Sequence, residues 1–307
     1  METLRHQVFA CQTVDKTVTL AWMGCTYSKP PPYGSILGPD EITDVGVLKA
    51  YDVVELLGKG AYAAAFRARP KGSRELIVLK RQIEAFRCAN DAQRTFREVT
   101  YQRQMCHPNI VGLLGTLRAS NGRDLYLVLE SMHMSLEGAL KQRALLPSHA
   151  ERIRKLFYQL LCALKYLHSG NLVHRDIKPA NLLVSKGDIL KVCDFGVSRR
   201  LPIDSVDDRP LLTQYMGSRW YRAPEVLVGS TEYTTASDLW QAGCVLGELS
   251  TGHVFFQGKG TQVTRSPLTV HYSLWLSVLG KGHTDDSLTT HCSLLTVAIC
   301  SRERAHR

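Results

Sequence analysis

The chain has 307 residues, of which 44% are hydrophobic and 21% charged, an ordinary globular composition for one large domain or two lobes. Its net charge of +10 comes from Lys and Arg residues that are spread out without a basic run, so we expect no nucleic-acid partner. We find no apolar run long enough for a membrane span, no signal peptide and no metal spacing among the nine cysteines, so we expect a reduced cytoplasmic or nuclear protein without a membrane partner.

The first 46 residues show no clear period and contain a proline-rich stretch at 29–34, so we predict a loosely ordered N-terminal extension or, alternatively, a short docking ligand. From Tyr51 the pattern changes to strands that are separated by glycine and proline. Strands are predicted at 51–57, 63–69, 75–80 and 125–130, with one helix at 91–105 that Asp91 is expected to cap. These elements predict a small β-rich lobe over about 47–130.

The second part, 131–258, is predicted to be mostly helical. Leucines at 156, 160, 164 and 167 follow one face of a helix from about 150 to 168. Two short strands, 181–185 and 189–194, come next, and a later helix is predicted at 237–249, with Ser237 at its start. After Gly258, Ser, Thr and His become frequent and the helical pattern fades, so 259–307 is predicted to be a divergent tail.

Gly58-Lys59-Gly60 lies between the first two predicted strands, where a phosphate-covering loop would be placed. Glycine lets the backbone approach a phosphate closely, although such a turn alone is more often a simple hairpin. Lys80, at the end of the third predicted strand, needs an anion if it is buried, and Glu98 on the next helix offers a carboxylate. The alternative is a surface lysine and a solvated glutamate.

The most specific run extends from His174 to Asn181 and is followed by Asp194-Phe195-Gly196. Phosphoryl transfer needs a carboxylate that orients the incoming hydroxyl, ligands for Mg²⁺ and a cation on the migrating phosphate. Asp176 fits the first role, Asn181 and Asp194 the second, and Lys178 the third. This order and spacing of residues predicts transfer of phosphate from ATP to a hydroxyl group.

On these runs, and on Ala223-Pro224-Glu225 and Asp238 with Trp240, the chain resembles the eukaryotic protein kinases of the cyclin-dependent, MAP and glycogen-synthase kinase group. The runs 91–98 and 164–170 resemble the atypical extracellular-signal-regulated MAP kinases in particular. The resemblance implies a bilobal α+β fold, ATP and Mg²⁺ as cofactors, and serine or threonine in protein substrates as acceptors. It also implies an ATP site formed by Leu57, Gly58, Lys59, Gly60, Ala65, Val78, Lys80, Glu98, Glu130, Met132 and Leu183.

Thr213-Gln214-Tyr215 resembles the activation lip of MAP kinases. The resemblance implies phosphorylation of Thr213 and Tyr215, by an upstream kinase or by autophosphorylation, and a preference for proline after the target residue. The implied phosphate ligands are Arg97, Arg175 and Arg199 for the threonine and Arg219 and Arg222 for the tyrosine. Two alternatives stay open: Arg97 and Arg199 as solvated surface charges, and membership of the male-germ-cell-associated kinases, which share the Thr-x-Tyr pattern.

The residues Ala63, Ala65, Val78 and Gln102 depart from the family pattern, and so does the sequence after Gly258. Gln102 stands where an apolar residue normally continues a stack that ends on Phe195, and a buried amide there would need a partner. After Gly258 the further helices of the large lobe are not recognisable, which predicts an incomplete second lobe. Two hypotheses follow: an active Ser/Thr kinase, or a truncated, catalytically impaired form that binds nucleotide or a partner protein.

Overall fold

The computed structural model describes residues 44–60, 62–145, 148–201, 219–227, 234–254 and 256. The described residues fall into two compact units, 44–106 with 111–131, and 107–110 with the residues from 132 onward. The predictions for residues 1–43 and 257–307 concern residues outside this description. The predicted α+β class is confirmed, since the first unit is built on a β-sheet and the second is mainly helical.

The first unit is a five-stranded antiparallel sheet with the strand order β1-β2-β3-β5-β4 and two helices. Its elements are α1 (Val45–Ala50), β1 (Tyr51–Lys59), β2 (Ala63–Pro70), β3 (Ile77–Gln82), α2 (Ala89–Gln104), β4 (Leu113–Arg118) and β5 (Leu125–Glu130). Alternate residues are buried from Ala64 to Ala68 in β2 and at Ile77 and Leu79 in β3, as expected for strands with one face on a core. That core contains Phe66, Leu79 and Tyr126, each at most 1% exposed.

Helix α1 begins two residues before the predicted lobe boundary at residue 47. Asp44 is its N-cap and accepts a hydrogen bond from the Val47 N–H at 3.1 Å. The same carboxylate accepts from the backbone N–H and the hydroxyl of Ser120, which follows β4. Partial burial acts to raise the pKa of Asp44, but these donors outweigh it and hold the pKa below its usual value. The helix is thus fixed to the sheet, and its Val47 is buried in the core.

Helix α2 begins at Ala89, so the prediction that Asp91 caps it at 91 was wrong. Cys88 is the N-cap residue and has no side-chain capping bond. Asp91 lies in the first turn, where its carboxylate accepts from the Cys88 thiol at 3.2 Å and pairs with Arg87 at 3.1 Å. A carboxylate at this end of a helix is still favourable because it faces the positive end of the helix dipole.

The second unit contains two small sheets, β6-β8-β9 and β10-β7, packed with helices. Its elements are β6 (Met134–Ser135), α3 (Leu136–Lys141), α4 (Ala150–Ser169), β7 (Leu172–Val173), a 3₁₀ turn (Pro179–Asn181), β8 (Leu182–Val184), β9 (Leu190–Val192), β10 (Arg199–Arg200), a 3₁₀ turn (Arg219–Tyr221), α5 (Pro224–Leu227) and α6 (Thr235–Thr251). The predicted leucine face of α4 is confirmed, since all four leucines are at most 2% exposed.

Helix α6 begins at Thr235, so Ser237 lies within its first turn rather than at its start. Every residue from Gln241 to Leu249 is buried, and so are the three residues Ser237, Asp238 and Leu239. A helix that is buried on all sides must supply partners for its polar side chains, because an unpaired buried polar group is costly. Nowhere in the described parts of the chain is a helix both long and apolar enough to cross a membrane.

Candidate active site

In the first unit, a glycine hairpin joins β1 to β2. Gly58 lies opposite Ala65 in the antiparallel register, and the Gly60 N–H donates to the Ala63 carbonyl at 2.8 Å. A Cβ added at Gly58 would meet no described atom within 4 Å. Neither packing nor a positive φ therefore requires glycine at this position, and the open space above the hairpin suits a close ligand. Leu57 and Lys59 are exposed beside it.

Lys80 lies inside β3 and forms an ion pair with Glu98 on α2. The Nζ to Oε1 distance is 2.6 Å, and the side chains are 17% and 2% exposed. The second carboxylate oxygen of Glu98 accepts from the amide of Gln82 at 2.7 Å. The structure thus brings together the predicted Lys80 and Glu98, and it adds Gln82, two residues along the strand on the same face. No motif pointed to Gln82; the period-two alternation from Lys80 was the available signal.

Other predicted ATP-site residues occupy the middle of the same sheet. Ala65 lies opposite Lys80, and Val78 lies opposite Leu129. Glu130 ends β5, and its side chain accepts from the Gly112 N–H at 2.7 Å while its own N–H donates to the Gly112 carbonyl.

Two more predicted ATP-site residues belong to the second unit. Met132 precedes β6, and Leu183 is the central, half-buried residue of β8.

In the second unit, Asp176 is at the centre of the loop that follows β7. Its Oδ2 accepts from Lys178 Nζ at 2.7 Å and from Asn181 Nδ2 at 2.9 Å. The Asn181 amide also donates to the Asp176 carbonyl at 2.8 Å. The Asp176 side chain is about one quarter exposed and the Lys178 side chain about one fifth, so the carboxylate is accessible to a hydroxyl group. The three residues predicted to act together are therefore in direct contact.

His174 joins this loop to the segment that carries Asp194. Its Nδ1 accepts from the Asp176 N–H at 3.2 Å, while its Nε2 lies 3.1 Å from the Cys193 carbonyl. An acceptor at Nδ1 and a carbonyl at Nε2 require the neutral tautomer that carries its proton on Nε2. The ring also meets Phe195 edge-on, with centroids 5.0 Å apart. This fully buried imidazole was part of the predicted motif but had no assigned role.

Asp238 on α6 holds the start of the loop. It accepts from the backbone N–H groups of His174 at 2.8 Å and Arg175 at 2.7 Å, and from His168 Nε2 at 2.9 Å. Burial acts to raise the pKa of Asp238, but its hydrogen bonds with His168 and the Arg175 N–H hold that pKa below its usual value. Arg175 has a φ of 71°, which residues other than glycine seldom adopt, so the loop needs hydrogen bonds such as those to Asp238 to hold this conformation.

Asn181 and Asp194 were predicted to hold Mg²⁺. The two residues lie near each other because Cys193, directly before Asp194, donates its N–H to the Asn181 carbonyl at 3.0 Å. The Asn181 amide nitrogen is engaged with Asp176, which directs the amide oxygen away as a possible ligand. One amide oxygen and one carboxylate fit Mg²⁺, which keeps waters and substrate phosphates as its other ligands. Among the described residues there is no group of three or more His, Cys, Asp or Glu side chains that would form a fuller metal cage.

The predicted phosphate ligands are only partly described. Thr213 and Tyr215 lie outside the described residues, as does the side chain of Arg219. In the second unit, Arg175 donates to the Val197 carbonyl at 3.2 Å, and Arg199 lies in β10 opposite Val173. In the first unit, the Arg97 guanidinium donates to Gln93 at 3.2 Å. Arg222 is half-buried, directly after the 3₁₀ turn 219–221.

The segment that ends at Glu225 is also fixed to α6. The Tyr221 hydroxyl donates to Glu248 at 2.5 Å, and Ser237 donates to Glu225 at 3.1 Å. Burial raises the pKa of Glu248 above its usual value, and burial next to this carboxylate raises the pKa of Tyr221 as well. Helix α6 therefore supports both ends of the candidate site in this unit, the loop at Asp176 and the segment at Glu225.

The protein kinase domain family matches residues 51–307. The chain is 44% identical over 226 residues to extracellular signal-regulated kinase 2 of Dictyostelium discoideum, covering 72% of this chain and 60% of that protein. It is 43% identical over 217 residues to mitogen-activated protein kinase 15 of Xenopus laevis, covering 70% and 37% of the two chains. It is also 43% identical over 223 residues to extracellular signal-regulated kinase 7 of Drosophila melanogaster, covering 71% and 24%.

The chain thus spans between 24% and 60% of the length of these relatives. The family match extends to residue 307 and so includes the residues after 258; that these form a divergent tail stays a prediction. The match covers more than half of the chain and contains the Lys80–Glu98 pair and the Asp176 loop. The chain therefore belongs to the eukaryotic protein kinase family and is of the MAP-kinase-like type.

Proposed function

We propose that this chain is a serine/threonine protein kinase that transfers the γ-phosphate of ATP to protein substrates. The observation that carries the proposal is the contact of Asp176 with both Lys178 and Asn181, on a loop that Asp238 holds by two backbone hydrogen bonds. Each of these groups has a role in moving a phosphate to a hydroxyl, and the family supports the same chemistry.

Asp176 orients the incoming hydroxyl group. Its Oδ2 is occupied by Lys178 and Asn181, which leaves Oδ1 to accept the hydroxyl proton. Lys178 is 20% exposed and its long side chain is able to leave the carboxylate for the migrating phosphate, where it neutralises negative charge. The hydroxyl oxygen then bonds to the γ-phosphorus as the bond to the ADP leaving group breaks.

ATP and Mg²⁺ are the proposed cofactors. The amide oxygen of Asn181 and the carboxylate of Asp194 are the proposed Mg²⁺ ligands, and bound Mg²⁺ neutralises the phosphate oxygens during transfer. In the first unit, the glycine hairpin covers the phosphates and Lys80, held by Glu98, binds them. The backbone at Glu130 and Met132 is proposed to bind adenine.

Activation is proposed to require phosphate on Thr213 and Tyr215, added by an upstream kinase or by the chain itself. The similarity to MAP kinases supports this, and so does the presence of five arginines to receive the two phosphates. Substrates are proposed to carry proline after the target residue. Variants Thr213→Ala and Tyr215→Phe should each reduce activity, and mass spectrometry of active protein without either phosphate would contradict the mechanism.

We propose a cytoplasmic or nuclear location. The cysteines of the described residues are all free thiols, as expected in a reducing compartment: Cys88, Cys106, Cys162, Cys193 and Cys244. Imaging of the tagged chain tests this, and secretion into the medium would contradict it.

The main test uses the full chain, radiolabelled ATP and a peptide library with a central Ser or Thr. Asp176→Asn and Asp194→Asn should each lower phosphate transfer on the order of 10³-fold. The matched control is Asp188→Asn, since Asp188 lies in the same unit and pairs with Arg152 away from the loop. The control should keep wild-type transfer. Normal turnover in either active-site variant refutes the proposal, and an inactive but folded wild-type chain would favour the non-catalytic alternative.

A further inference from the structure

Gln241 on α6 forms hydrogen bonds with the peptide groups before and after Asp176, and we call this pair of hydrogen bonds a bracket. Its Oε1 accepts from the Ile177 N–H at 2.8 Å, and its Nε2 donates to the Arg175 carbonyl at 3.1 Å. One amide side chain thus binds the backbone on both sides of Asp176. Gln241 is 6% exposed and lies on the same helix as Asp238, one turn further on.

The bracket acts on a residue whose backbone is strained. Arg175 has a φ of 71°, and its N–H is bound by Asp238 while its carbonyl is bound by Gln241. Both peptide groups that flank its left-handed conformation are therefore fixed by α6. The direction of the Asp176 side chain depends on the peptide on each side of it, and Gln241 contacts both.

We infer that Gln241 is a positioning residue, which fixes the direction of the Asp176 carboxylate through the backbone of Arg175 and Ile177. The inference rests on the proposed role of Asp176 and adds a residue that no motif indicates. Asp238 accepts backbone hydrogen bonds only from His174 and Arg175, which precede Asp176. It therefore makes no bond with the backbone that follows Asp176. Gln241 supplies the bond on the far side.

The chain offers a matched control in Gln159. Its Oε1 accepts from the Leu190 N–H at 3.0 Å, and its Nε2 donates to the Asp188 carbonyl at 2.9 Å. Asp188 also has a positive φ, 61°, so Gln159 makes the same bracket around Ile189. The two brackets bind the backbone in the same pattern, although Gln159 also bonds to Asn109 Nδ2 and the Lys155 carbonyl, and only the Gln241 bracket surrounds an active-site carboxylate.

The test compares Gln241→Met with Gln159→Met in the full chain. Methionine keeps the side-chain length and removes the two bracket bonds in each variant; in Gln159→Met the bonds of Gln159 with Asn109 Nδ2 and the Lys155 carbonyl are lost as well. We expect the kcat of Gln241→Met to fall roughly ten- to a hundredfold, because small displacements of a positioned group have this effect, while KM for ATP stays within about twofold. Gln159→Met should keep its kcat, although both variants lose thermal stability. Equal kcat values for the two variants overturn the inference.

Two further measurements decide the cases in which activity is not informative. If Gln241→Met does not fold, Gln241→Glu and Gln159→Glu replace the methionine pair, since glutamate keeps the acceptor for the N–H; a lower kcat confined to Gln241→Glu supports the inference, and equal values overturn it. Hydrogen exchange is the second measurement. The Ile177 amide should lose protection only in Gln241→Met and the Leu190 amide only in Gln159→Met, because the glutamate variants keep the acceptor for these N–H groups. A protected Ile177 amide in Gln241→Met overturns the bracket.

The proposed function and this inference fail in different ways. Active Asp176→Asn refutes the role of Asp176 itself. Inactive Asp176→Asn, together with Gln241→Met that matches its control, refutes only the role of Gln241. An inactive wild-type chain refutes the proposed function, and the exchange of the Ile177 amide then shows only whether Gln241 holds the backbone of the loop.

Discussion

The Lys80–Glu98 pair predicts an asymmetry between two substitutions that both break it. The Glu98 side chain is 2% exposed, whereas the Lys80 side chain is 17% exposed. Lys80→Met removes the ammonium group from a carboxylate that has no route to water. Glu98→Gln instead leaves a lysine that reaches solvent by a change of rotamer. We therefore expect Lys80→Met to destabilise the protein more than Glu98→Gln.

The size of each effect follows from burial and hydrogen bonding. Removing one partner of a buried ion pair costs about 3–5 kcal/mol, which is the expected loss for Lys80→Met. Glu98→Gln keeps a neutral acceptor for Gln82, and its expected loss is about 1–3 kcal/mol. For a unit of this size, the larger loss lowers the melting temperature by roughly 12–40 °C.

A triple variant separates the stability of this cluster from its role in catalysis. Lys80→Met, Gln82→Leu and Glu98→Leu together replace the polar cluster with apolar side chains of similar volume. Buried charged clusters replaced in this way often lose no stability, so the triple variant should unfold within about 1 kcal/mol of the wild type. It should nevertheless have no kinase activity, because Lys80 is the proposed phosphate ligand in this unit.

The assay is urea denaturation followed by far-UV circular dichroism, with phosphate transfer measured in parallel. The control is Lys141→Met, since Lys141 pairs with Glu137 on the surface, where the side chains are 72% and 48% exposed. Its effect should stay below about 0.5 kcal/mol. Equal losses for Lys80→Met and Glu98→Gln, or a triple variant as unstable as Lys80→Met, would refute the reasoning.

Three other predictions concern stability. Gln102 is 3% exposed, its Oε1 makes no hydrogen bond within the described residues, and its Nε2 reaches the Val111 carbonyl only at 3.5 Å. Gln102→Leu should therefore raise the free energy of unfolding by about 1–2 kcal/mol. A lower free energy of unfolding in urea denaturation would contradict this. Asp44→Ala removes the cap of α1 and should cost about 1–2 kcal/mol, with Lys49→Ala, on the same helix, as a control that should melt like the wild type. The pKa of Asp238 in the folded protein lies below its ordinary value of 3.8, so the Asp238 hydrogen bonds stabilise the fold above that pH and this stabilisation is lost as the pH falls through the folded pKa. The difference in the free energy of unfolding between the wild type and Asp238→Asn should therefore persist at neutral pH and disappear below about pH 4. Acid titration of both proteins measures this difference.

Local patterns predicted the elements that carry their signal in consecutive residues. Strand β5 was predicted with its observed bounds, Leu125–Glu130, because an apolar run stood between turn residues. Strand β4 was missed, since Gly115 interrupts it and none of its residues is fully buried. The start of α2 was misplaced because Cys88, its N-cap residue, makes no side-chain capping bond and is not a residue type that marks a helix start.

In the candidate site, too, contacts were predictable only between residues that are close in sequence. Asp176, Lys178 and Asn181 are two to five residues apart, so their contact was predictable from the motif. Gln241 lies 64 residues after the amide that it binds, and His168 lies 70 residues before its carboxylate partner. Nothing in a local pattern indicates such pairs; only the packing of α6 beneath the loop brings them together.

The distance in sequence between the loop and α6 has a consequence for synthesis. The backbone groups of residues 174–177 that bind α6 find their partners 63 to 66 residues later in the chain. At typical rates of translation the ribosome needs roughly 3–13 s to add that many residues. During this interval the nascent loop lacks the helix that fixes its backbone in the folded protein. A pause between codons 180 and 235 would prolong this state, in which the apolar surface later covered by α6 is exposed to chaperones.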